Sequence, residues 1–279
     1  WNGERVECVE AGDDDDGGSS TKTDAGGVTD AFIKARPYGK TVPKSYDASK
    51  PTPLVMVLHG YTSNAADQDR YFGVSKLAEE KGFLVALPNG TKAATSGNPF
   101  WNATDSCCNF EGNTVDDVAY LSAVIADMKR QFNVDPKRVF IAGHSNGGFM
   151  AHRMACERSG EIAAIMSLAG AQFQDPARCK PDHPVAVLQV HGDQDETVNY
   201  EGGELFAGLA YPGAKTTVAT WASKNGCDAA LDATKETFDL ESTLDGNETL
   251  VARHACAKGA AELWTMVGGK HVPAFTSSW

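Results

Sequence analysis

The chain has 279 residues, of which 42% are hydrophobic, and it carries a formal net charge of −12. This length suits one large α/β domain or two small ones. No apolar run reaches about 18 residues, so we expect no membrane span, and the absence of a basic stripe argues against a nucleic-acid partner.

The N-terminal segment holds much of the negative charge. Residues 1–30 contain nine acidic side chains against two basic ones, and a Gly/Ser run follows the four aspartates at 13–16. This composition is typical of a solvated tether, and it disfavours a metal site because it fixes no ligand geometry. We therefore predict an acidic, Gly/Ser-rich N-terminal tether at 1–30 and one folded α/β domain at 31–279.

Beyond the tether, apolar runs of strand length alternate with segments of helical periodicity. The series begins with an edge strand at 36–43 that ends at a proline, a buried strand at 53–60, a helix at 64–81 ended by Gly82, a buried strand at 83–88, a polar loop at 89–113 and a helix at 116–132. It continues with a strand at 138–142, a helix at 148–155, strands at 163–169 and 185–190, a helix that begins after Thr216, and strands at 249–255 and 261–267. Such alternation predicts a mostly parallel sheet with helices on both faces.

The run Gly143-His144-Ser145-Asn146-Gly147 lies between a predicted strand and a predicted helix. Strand, Gly-x-Ser-x-Gly turn and helix form the pattern of a nucleophile elbow, in which the serine hydroxyl is exposed at the edge of a sheet. The helix N-terminus then directs N–H groups at any negative charge formed beside that oxygen. The alternative is an ordinary glycine-rich turn, which the two downstream partners disfavour. Ser145 is therefore the candidate nucleophile.

A serine nucleophile requires a base and an acid that orients the base, and in this arrangement they follow in the order nucleophile, acid, base. Asp193 and Asp195 follow the strand at 185–190, and both are candidates for the acid. His271 lies in a glycine-containing loop after the last strand and is the candidate base.

The remaining six histidines fit other roles better. His59 is expected to shape the turn after the first buried strand, and His144 lies inside the elbow. We expect His191 to be structural and His152 to be a packing or surface residue, whereas His183 and His254 belong to no motif.

Backbone N–H groups must bind the oxyanion of a tetrahedral intermediate. Asn146, directly after the nucleophile, is expected to supply one, and the loop after the first buried strand supplies the other from Tyr61 or Thr62, with Tyr61 preferred. Three further aromatic residues are candidates for a substrate pocket, with burial in the core as the alternative: Trp101, Phe100 and Tyr200.

Seven cysteines favour disulfides in an exported protein over free buried thiols. We expect the pairs Cys156–Cys179 and Cys227–Cys256, each within one half of the chain. Neighbouring cysteines rarely bridge each other, so one of Cys107 and Cys108 is expected to pair elsewhere, which leaves an odd thiol.

Four segments in order carry a resemblance to a known family. They are the strand at 53–60, the loop at 101–108, the elbow at 143–150, and the run from His191 to Tyr200 with the spacing His-Gly-x-x-Asp. Over roughly residues 36–275 the chain resembles the polyhydroxybutyrate-depolymerase-like esterases, which are related to carbohydrate esterase family one, the feruloyl and acetylxylan esterases. The resemblance implies an α/β-hydrolase catalytic domain, Asp195 as the acid and Asp193 as a turn residue.

The same resemblance implies an exported serine carboxylesterase, secreted or surface-tethered, that needs no metal or organic cofactor. Its partner is an ester substrate: a feruloyl or acetyl ester of a polysaccharide, or a short aliphatic polyester. The alternatives are a serine peptidase of the same fold and a non-catalytic binding domain displayed on a surface. The sequence leaves the oligomeric state open.

The chain departs from the family in two ways. Lys270 and Val272 flank His271 where the family commonly has a glycine and an aromatic residue. Hydrolases of this fold usually end in a helix after the histidine loop, whereas the sequence stops eight residues past His271. We therefore expect exposed apolar surface near the base, and greater stability in a longer chain.

Overall fold

The computed structural model describes residues 25–206 and 208–276. These residues form six α-helices: α1 (Ala25–Ala35), α2 (Ala65–Phe72), α3 (Val74–Lys81), α4 (Asp117–Gln131), α5 (Asn146–Glu157) and α6 (Ala214–Lys224). They also form thirteen strands: β1 (Gly39–Thr41), β2 (Thr52–Leu58), β3 (Leu84–Leu87), β4 (Thr91–Lys92), β5 (Pro99–Phe100), β6 (Val134–His144), β7 (Ala164–Leu168), β8 (Ala186–Gly192), β9 (Gly202–Phe206), β10 (Leu209–Pro212), β11 (Leu231–Phe238), β12 (Thr249–His254) and β13 (Ala261–Met266).

Nine of these strands form one sheet in the order β1-β3-β2-β6-β7-β8-β13-β12-β11. Each neighbouring pair from β3 to β13 is parallel, whereas β1, β12 and β11 join in antiparallel pairs. This confirms both the mostly parallel sheet and the edge strand predicted at 36–43.

Hydrophobic packing covers both faces of the sheet. One face packs on α4, α5 and α6 through side chains such as Leu121, Phe149 and Trp221. The other packs on α2 and α3 through Phe72 and Ala78. The central strands are therefore mostly apolar on both faces, as strands covered by helices on both sides usually are. Exceptions include three buried polar residues of β7 and β8, namely Ser167, Gln189 and His191.

Strand register brings the loops of interest to one edge of the sheet. Leu58 at the end of β2 pairs with Gly143 near the end of β6, and Gly192 at the end of β8 pairs with Met266 at the end of β13. The turns after these four parallel strands therefore all lie at the carboxyl end of the sheet, where ligand sites of open α/β sheets are found.

Several local predictions need correction. The helix expected at 64–81 is two helices, because Gly73 adopts a left-handed conformation (φ 65°) that ends α2. Helix α6 begins at Ala214 rather than after Thr216, because the β9–β10 hairpin ends at Pro212. The strand β11 was missed because it is a largely polar strand at the edge of the sheet.

Helix α1 spans the predicted boundary between tether and domain. It begins at Ala25, and Asp30 pairs with Arg130 of α4 at 2.7 Å. The rest of the predicted tether, with Cys8, lies outside the described residues.

The described cysteines form three disulfides. The predicted pairs Cys156–Cys179 and Cys227–Cys256 are confirmed. The expectation for Cys107 and Cys108 was wrong, because these neighbours bridge each other. The loop folds back on itself through hydrogen bonds between Thr104 and Cys107, and both sulfur-bearing residues are buried. No other cysteine of the described chain is left to pair with them.

An apolar groove of about 840 Å³ runs along the α2–α3 face of the sheet. Phe275, four residues past His271, lines it together with side chains of the central strands. Val272, next to His271, is also largely exposed. Val272 is thus an exposed apolar side chain directly beside the candidate base.

Candidate active site

Ser145 lies in a sharp turn between β6 and α5, with φ 54° and ψ −122°. This backbone conformation is rare for a residue with a side chain and marks a strained position. Glycines on both sides are required: a Cβ on Gly143 would overlap the Gly147 carbonyl, and one on Gly147 would overlap the Leu58 carbonyl. The close approach of β2, β6 and α5 therefore holds Ser145 at the sheet edge.

The structure brings Ser145, His271 and Asp195 together in one hydrogen-bonded line. Nδ1 of His271 lies 2.7 Å from Oδ2 of Asp195, and Nε2 lies 2.9 Å from Oγ of Ser145. Because the ionised Asp195 can only accept, Nδ1 carries the proton and Nε2 accepts from the serine hydroxyl. This is the arrangement in which an imidazole can take the serine proton.

The Asp195 side chain is buried yet well supplied with donors. The backbone N–H groups of Thr197 and Val198 both donate to Oδ1 at 2.8 Å, and Nε2 of His191 lies 3.3 Å from Oδ2. Burial opposes ionisation, but the hydrogen bonds from His191 and His271 outweigh it and hold the pKa of Asp195 below its ordinary value. The carboxylate is therefore charged at neutral pH.

Of the two acid candidates, only Asp195 contacts the imidazole. Asp193 instead accepts a 2.7 Å hydrogen bond from the Gly268 N–H, and its own N–H donates to the Met266 carbonyl. It therefore ties the loop after β8 to the loop that carries His271.

Two side chains that the sequence did not single out hold the His271 loop. Nε2 of His144 lies 2.8 Å from the carbonyl oxygen of His271, and the Tyr71 hydroxyl donates to the Pro273 carbonyl at 2.7 Å. Burial, together with the nearby His271, lowers the pKa of His144 to about 4. The neutral ring therefore donates to the carbonyl through Nε2–H. The only sequence signal was the position of His144 inside the elbow.

The two segments that carry the predicted oxyanion donors both adjoin Ser145. Asn146 is the first residue of α5, and a Cβ on Gly60, the residue before Tyr61, would lie 3.4 Å from the Ser145 Cβ. The Thr62 N–H already donates to the Pro99 carbonyl at 2.9 Å, which favours Tyr61 over Thr62 as the second donor.

His59 shapes the turn that carries Tyr61. The Gly90 N–H donates to Nε2 of His59 at 2.9 Å, so the proton lies on Nδ1, which donates to the Gly60 carbonyl at 2.7 Å. Burial lowers the pKa of His59 and favours this neutral form. His152 is equally neutral, fully buried, and bonded to Gln189 and Trp221, so it is a packing residue and not a surface one.

Two of the three expected pocket aromatics are core residues instead. Trp101 and Phe100 are 0% and 1% exposed, so neither presents surface to a substrate. The reason is tertiary: the polar loop folds under the elbow and carries both rings inward. Tyr200 is also mostly buried, and its hydroxyl lies 2.6 Å from that of Thr265. Its role in substrate binding stays a prediction.

The accessible aromatic rings near the site belong to a different set, the aromatic rim of Tyr61, Phe110 and Phe206. The rings of Tyr61 and Phe110 are 5.4 Å apart, and those of Phe110 and Phe206 are 6.0 Å apart. Phe110 is 39% and Phe206 is 59% exposed. The rim extends outward from the predicted oxyanion donor. Exposure, which depends on the tertiary fold, was the missing signal.

The described part of the chain lacks both a metal-holding cluster and a membrane-spanning helix. Residues 25–206 and 208–276 contain no group of three or more His, Cys, Asp or Glu side chains able to hold a metal ion. Within the same ranges, no helix has the length and apolar character needed to cross a bilayer.

Comparison with known proteins is consistent with this geometry. A family model described as "Esterase PHB depolymerase" matches residues 38–198. Feruloyl esterase B of Piromyces equi is 30% identical over 192 residues, which cover 66% of this chain and 34% of that protein. A putative esterase, NocK, of Nocardia uniformis subsp. tsuyamanensis is 31% identical over 150 residues, covering 54% of this chain and 42% of that protein. The chain thus matches less than half the length of both relatives.

A solved structure shows the fold. Acetyl xylan esterase from Aspergillus awamori superposes with a TM-score of 0.58 at 17% identity, covering 84% of this chain and 88% of that chain. The expected α/β-hydrolase fold is confirmed.

Proposed function

Because the chain belongs to the Esterase PHB depolymerase family, we propose that it is a serine carboxylesterase that cleaves carboxylic esters through an acyl-enzyme. The observation that carries the proposal is the hydrogen-bonded line from Ser145 through His271 to Asp195. A serine hydroxyl is a weak nucleophile alone, and this line supplies both the base and the anion that orients it.

In the proposed mechanism, Oγ of Ser145 attacks the ester carbonyl carbon while Nε2 of His271 takes the hydroxyl proton. Asp195 stabilises the imidazolium, and the N–H groups of Tyr61 and Asn146 bind the oxyanion. The C–O bond to the alcohol then breaks, and His271 returns the proton to the leaving oxygen. Water, deprotonated by His271, attacks the acyl-enzyme, and release of the acid restores Ser145.

For the substrate, the aromatic rim favours an ester with a ring-bearing acyl group, such as feruloyl, over an acetyl ester. A ring-bearing acyl group can pack on the exposed rings of Phe110 and Phe206, whereas an acetyl group has no ring to make such a contact. Aromatic pairs contribute about 0.5–1.5 kcal/mol beyond their buried area. A short aliphatic polyester stays the second candidate, because the rim is uncharged and apolar.

The proposed esterase is exported. Three disulfides in the described chain support an oxidising compartment.

The activity is tested with p-nitrophenyl acetate and butyrate, methyl ferulate and a polyhydroxybutyrate suspension. Ser145→Ala is expected to lower kcat by about 10⁶-fold, as removal of a triad nucleophile does. Unchanged hydrolysis in this variant would refute the esterase, and cleavage of peptides instead of esters would favour the peptidase alternative. Binding without turnover by the unaltered chain would support the binding-domain alternative.

The acyl preference is tested with Phe206→Ala and with Leu250→Ala, a matched control that removes an exposed apolar side chain of β12. Phe206→Ala is expected to lower kcat/KM for methyl ferulate by about 2- to 12-fold while leaving p-nitrophenyl acetate unchanged. An equal loss for both esters, or no loss, would contradict the aromatic acyl site.

A further inference from the structure

Trp101 connects the two segments that carry the proposed oxyanion donors. Its indole Nε1–H donates to the carbonyl oxygen of His59 at 3.0 Å, two residues before Tyr61. Its backbone N–H donates to Oδ1 of Asn146 at 2.7 Å, and its carbonyl oxygen accepts from Nδ2 of the same side chain at 2.9 Å. Trp101 therefore forms hydrogen bonds with both segments that carry the proposed oxyanion donors.

The bonds between Trp101 and Asn146 leave the asparagine side chain little freedom. The side-chain amide of Asn146 forms hydrogen bonds with both the backbone N–H and the backbone C=O of Trp101. A rotation of the asparagine side chain would therefore break both bonds at once. Trp101, Asn146 and His59 are each 0% exposed, so water cannot replace a lost partner. Breaking a buried hydrogen bond of this kind leaves unsatisfied polar groups, which is costly.

The loop that follows Trp101 is itself anchored. The backbone N–H of Asn102 donates to Oδ2 of the buried Asp117 at 2.7 Å, and Asp117 pairs with Arg36, also at 2.7 Å. On the other side, Arg153 of α5 donates to the Asn102 carbonyl at 2.6 Å. These bonds fix the backbone directly after Trp101. Trp101 can therefore hold both donor segments in constant positions.

We propose that Trp101 and the side chain of Asn146 are positioning groups that set the separation between the N–H donors of Tyr61 and Asn146. The inference rests on the proposed esterase function. Donors stabilise an oxyanion most when they are already in place before the charge develops. Loss of a Trp101 bond therefore lowers kcat, whereas binding of the uncharged ester, and with it KM, changes little.

The test is Trp101→Phe, which keeps an aromatic ring but removes the indole N–H. Trp221→Phe is the matched control, because Trp221 is equally buried and its Nε1–H donates to Nδ1 of His152 at 2.9 Å on the far helix α6. Thermal unfolding first establishes that both variants fold. We expect Trp101→Phe to lower kcat on p-nitrophenyl acetate by about 10- to 100-fold, part of the loss seen when a whole oxyanion donor is removed. KM stays within about threefold, and the control keeps its kcat.

A second measurement separates positioning from general loosening of the fold. A trifluoromethyl ketone forms a tetrahedral adduct with Ser145 that carries the oxyanion, so its Ki should rise in parallel with the fall in kcat/KM. Asn146→Ala should show the same signature, and the double variant should lose less than the product of the single losses because both changes break one linkage.

Equal kcat values for Trp101→Phe and Trp221→Phe, a rise in KM at constant kcat, or an unchanged Ki would overturn the proposal. Ser145→Ala keeps the two hypotheses apart. If that variant remains active, the serine esterase itself fails; if it is inactive and Trp101→Phe is unaffected, only the positioning role fails.

Discussion

Nε2–H of His144 donates to the backbone carbonyl of His271, so the residue just before the proposed nucleophile holds the loop of the proposed base. The two rings also lie 5.0 Å apart. This contact joins the elbow after β6 to the loop after β13. Ser145 in the elbow and His271 in the loop are 126 residues apart in the sequence. The spacing of the proton relay therefore depends on a side chain that takes no proton itself.

We expect His144→Leu to lower kcat by about 10- to 100-fold with a smaller change in KM, because a displaced His271 meets the serine hydroxyl less often in a reactive geometry. His144→Gln, whose amide can still donate to the carbonyl, should retain more of the activity. Steady-state kinetics on p-nitrophenyl acetate measures both. Equal losses in the two variants would show that the hydrogen bond is not what matters.

Stability should fall as the pH drops from about 6.5 to about 4. Burial lowers the pKa values of His144 and His152 to about 4 from the ordinary 6.5. Between these two pH values the unfolded chain binds protons on these histidines and the native state does not. Their contribution to the free energy of unfolding is therefore at its maximum above pH 6.5 and decreases as the pH falls below it. Each histidine contributes on the order of 3 kcal/mol across the window.

Urea unfolding at pH 4.5 and pH 7 checks this pH dependence. His152→Gln should reduce the difference between the two free energies of unfolding, since glutamine does not titrate. A difference identical to that of the unaltered chain would show that His152 is not among the groups responsible.

Substitutions of the two aspartates after β8 should have different effects, one on catalysis and the other on stability. Asp195→Asn is expected to lower kcat by about 10⁴-fold, because an amide no longer orients and stabilises the imidazolium. Asp193→Asn should instead lower the unfolding temperature with a smaller effect on kcat, because Asp193 only ties the two loops together. Kinetics and thermal unfolding of both variants measure the contrast, and a reversed order of the two kcat values would contradict the assignment.

Glycine at position 147 should tolerate no side chain. Gly147→Ala places a methyl group onto the Leu58 carbonyl, so we expect a loss of about 3 kcal/mol or more in the free energy of unfolding. Gly27→Ala is the control, because it lies in α1 with no atom within 4 Å of the added carbon. It should stabilise the chain by about 0.5–1 kcal/mol. Comparable effects of the two substitutions in urea unfolding would refute the steric account.

The three disulfides should differ in their contribution to stability. Replacing Cys156 and Cys179 by serine opens a loop with a sequence separation of 23, which is expected to cost about 3–4 kcal/mol. The Cys107–Cys108 bond links neighbours and restricts the unfolded chain far less. Its double serine variant should therefore lower the unfolding temperature less. Equal decreases would indicate that native contacts, such as that between Cys107 and Asn146, dominate instead.

Patterns local in sequence determined the elements and the elbow. The apolar runs of β2 and β8 and the turn around Ser145 could be recognised because strand burial and a tight Gly-x-Ser-x-Gly turn impose requirements on consecutive residues. Chain order and spacing also pointed to His271 at the end of the last strand. The prediction failed at Gly73 and β11, where a left-handed cap and an exposed edge strand leave weak signals.

Only the tertiary structure decided which side chains meet. By chain order alone Asp193 and Asp195 are equivalent candidates, and only the family resemblance favoured Asp195. Which carboxylate meets the imidazole depends on how the loop after β8 and the loop after β13 pack in the folded chain. Trp101 and Phe110 are both aromatic residues of one polar loop, yet one is enclosed beneath the elbow and the other is exposed on the rim. Burial and hydrogen-bond partners arise from contacts between distant segments, and no pattern of neighbouring residues encodes them.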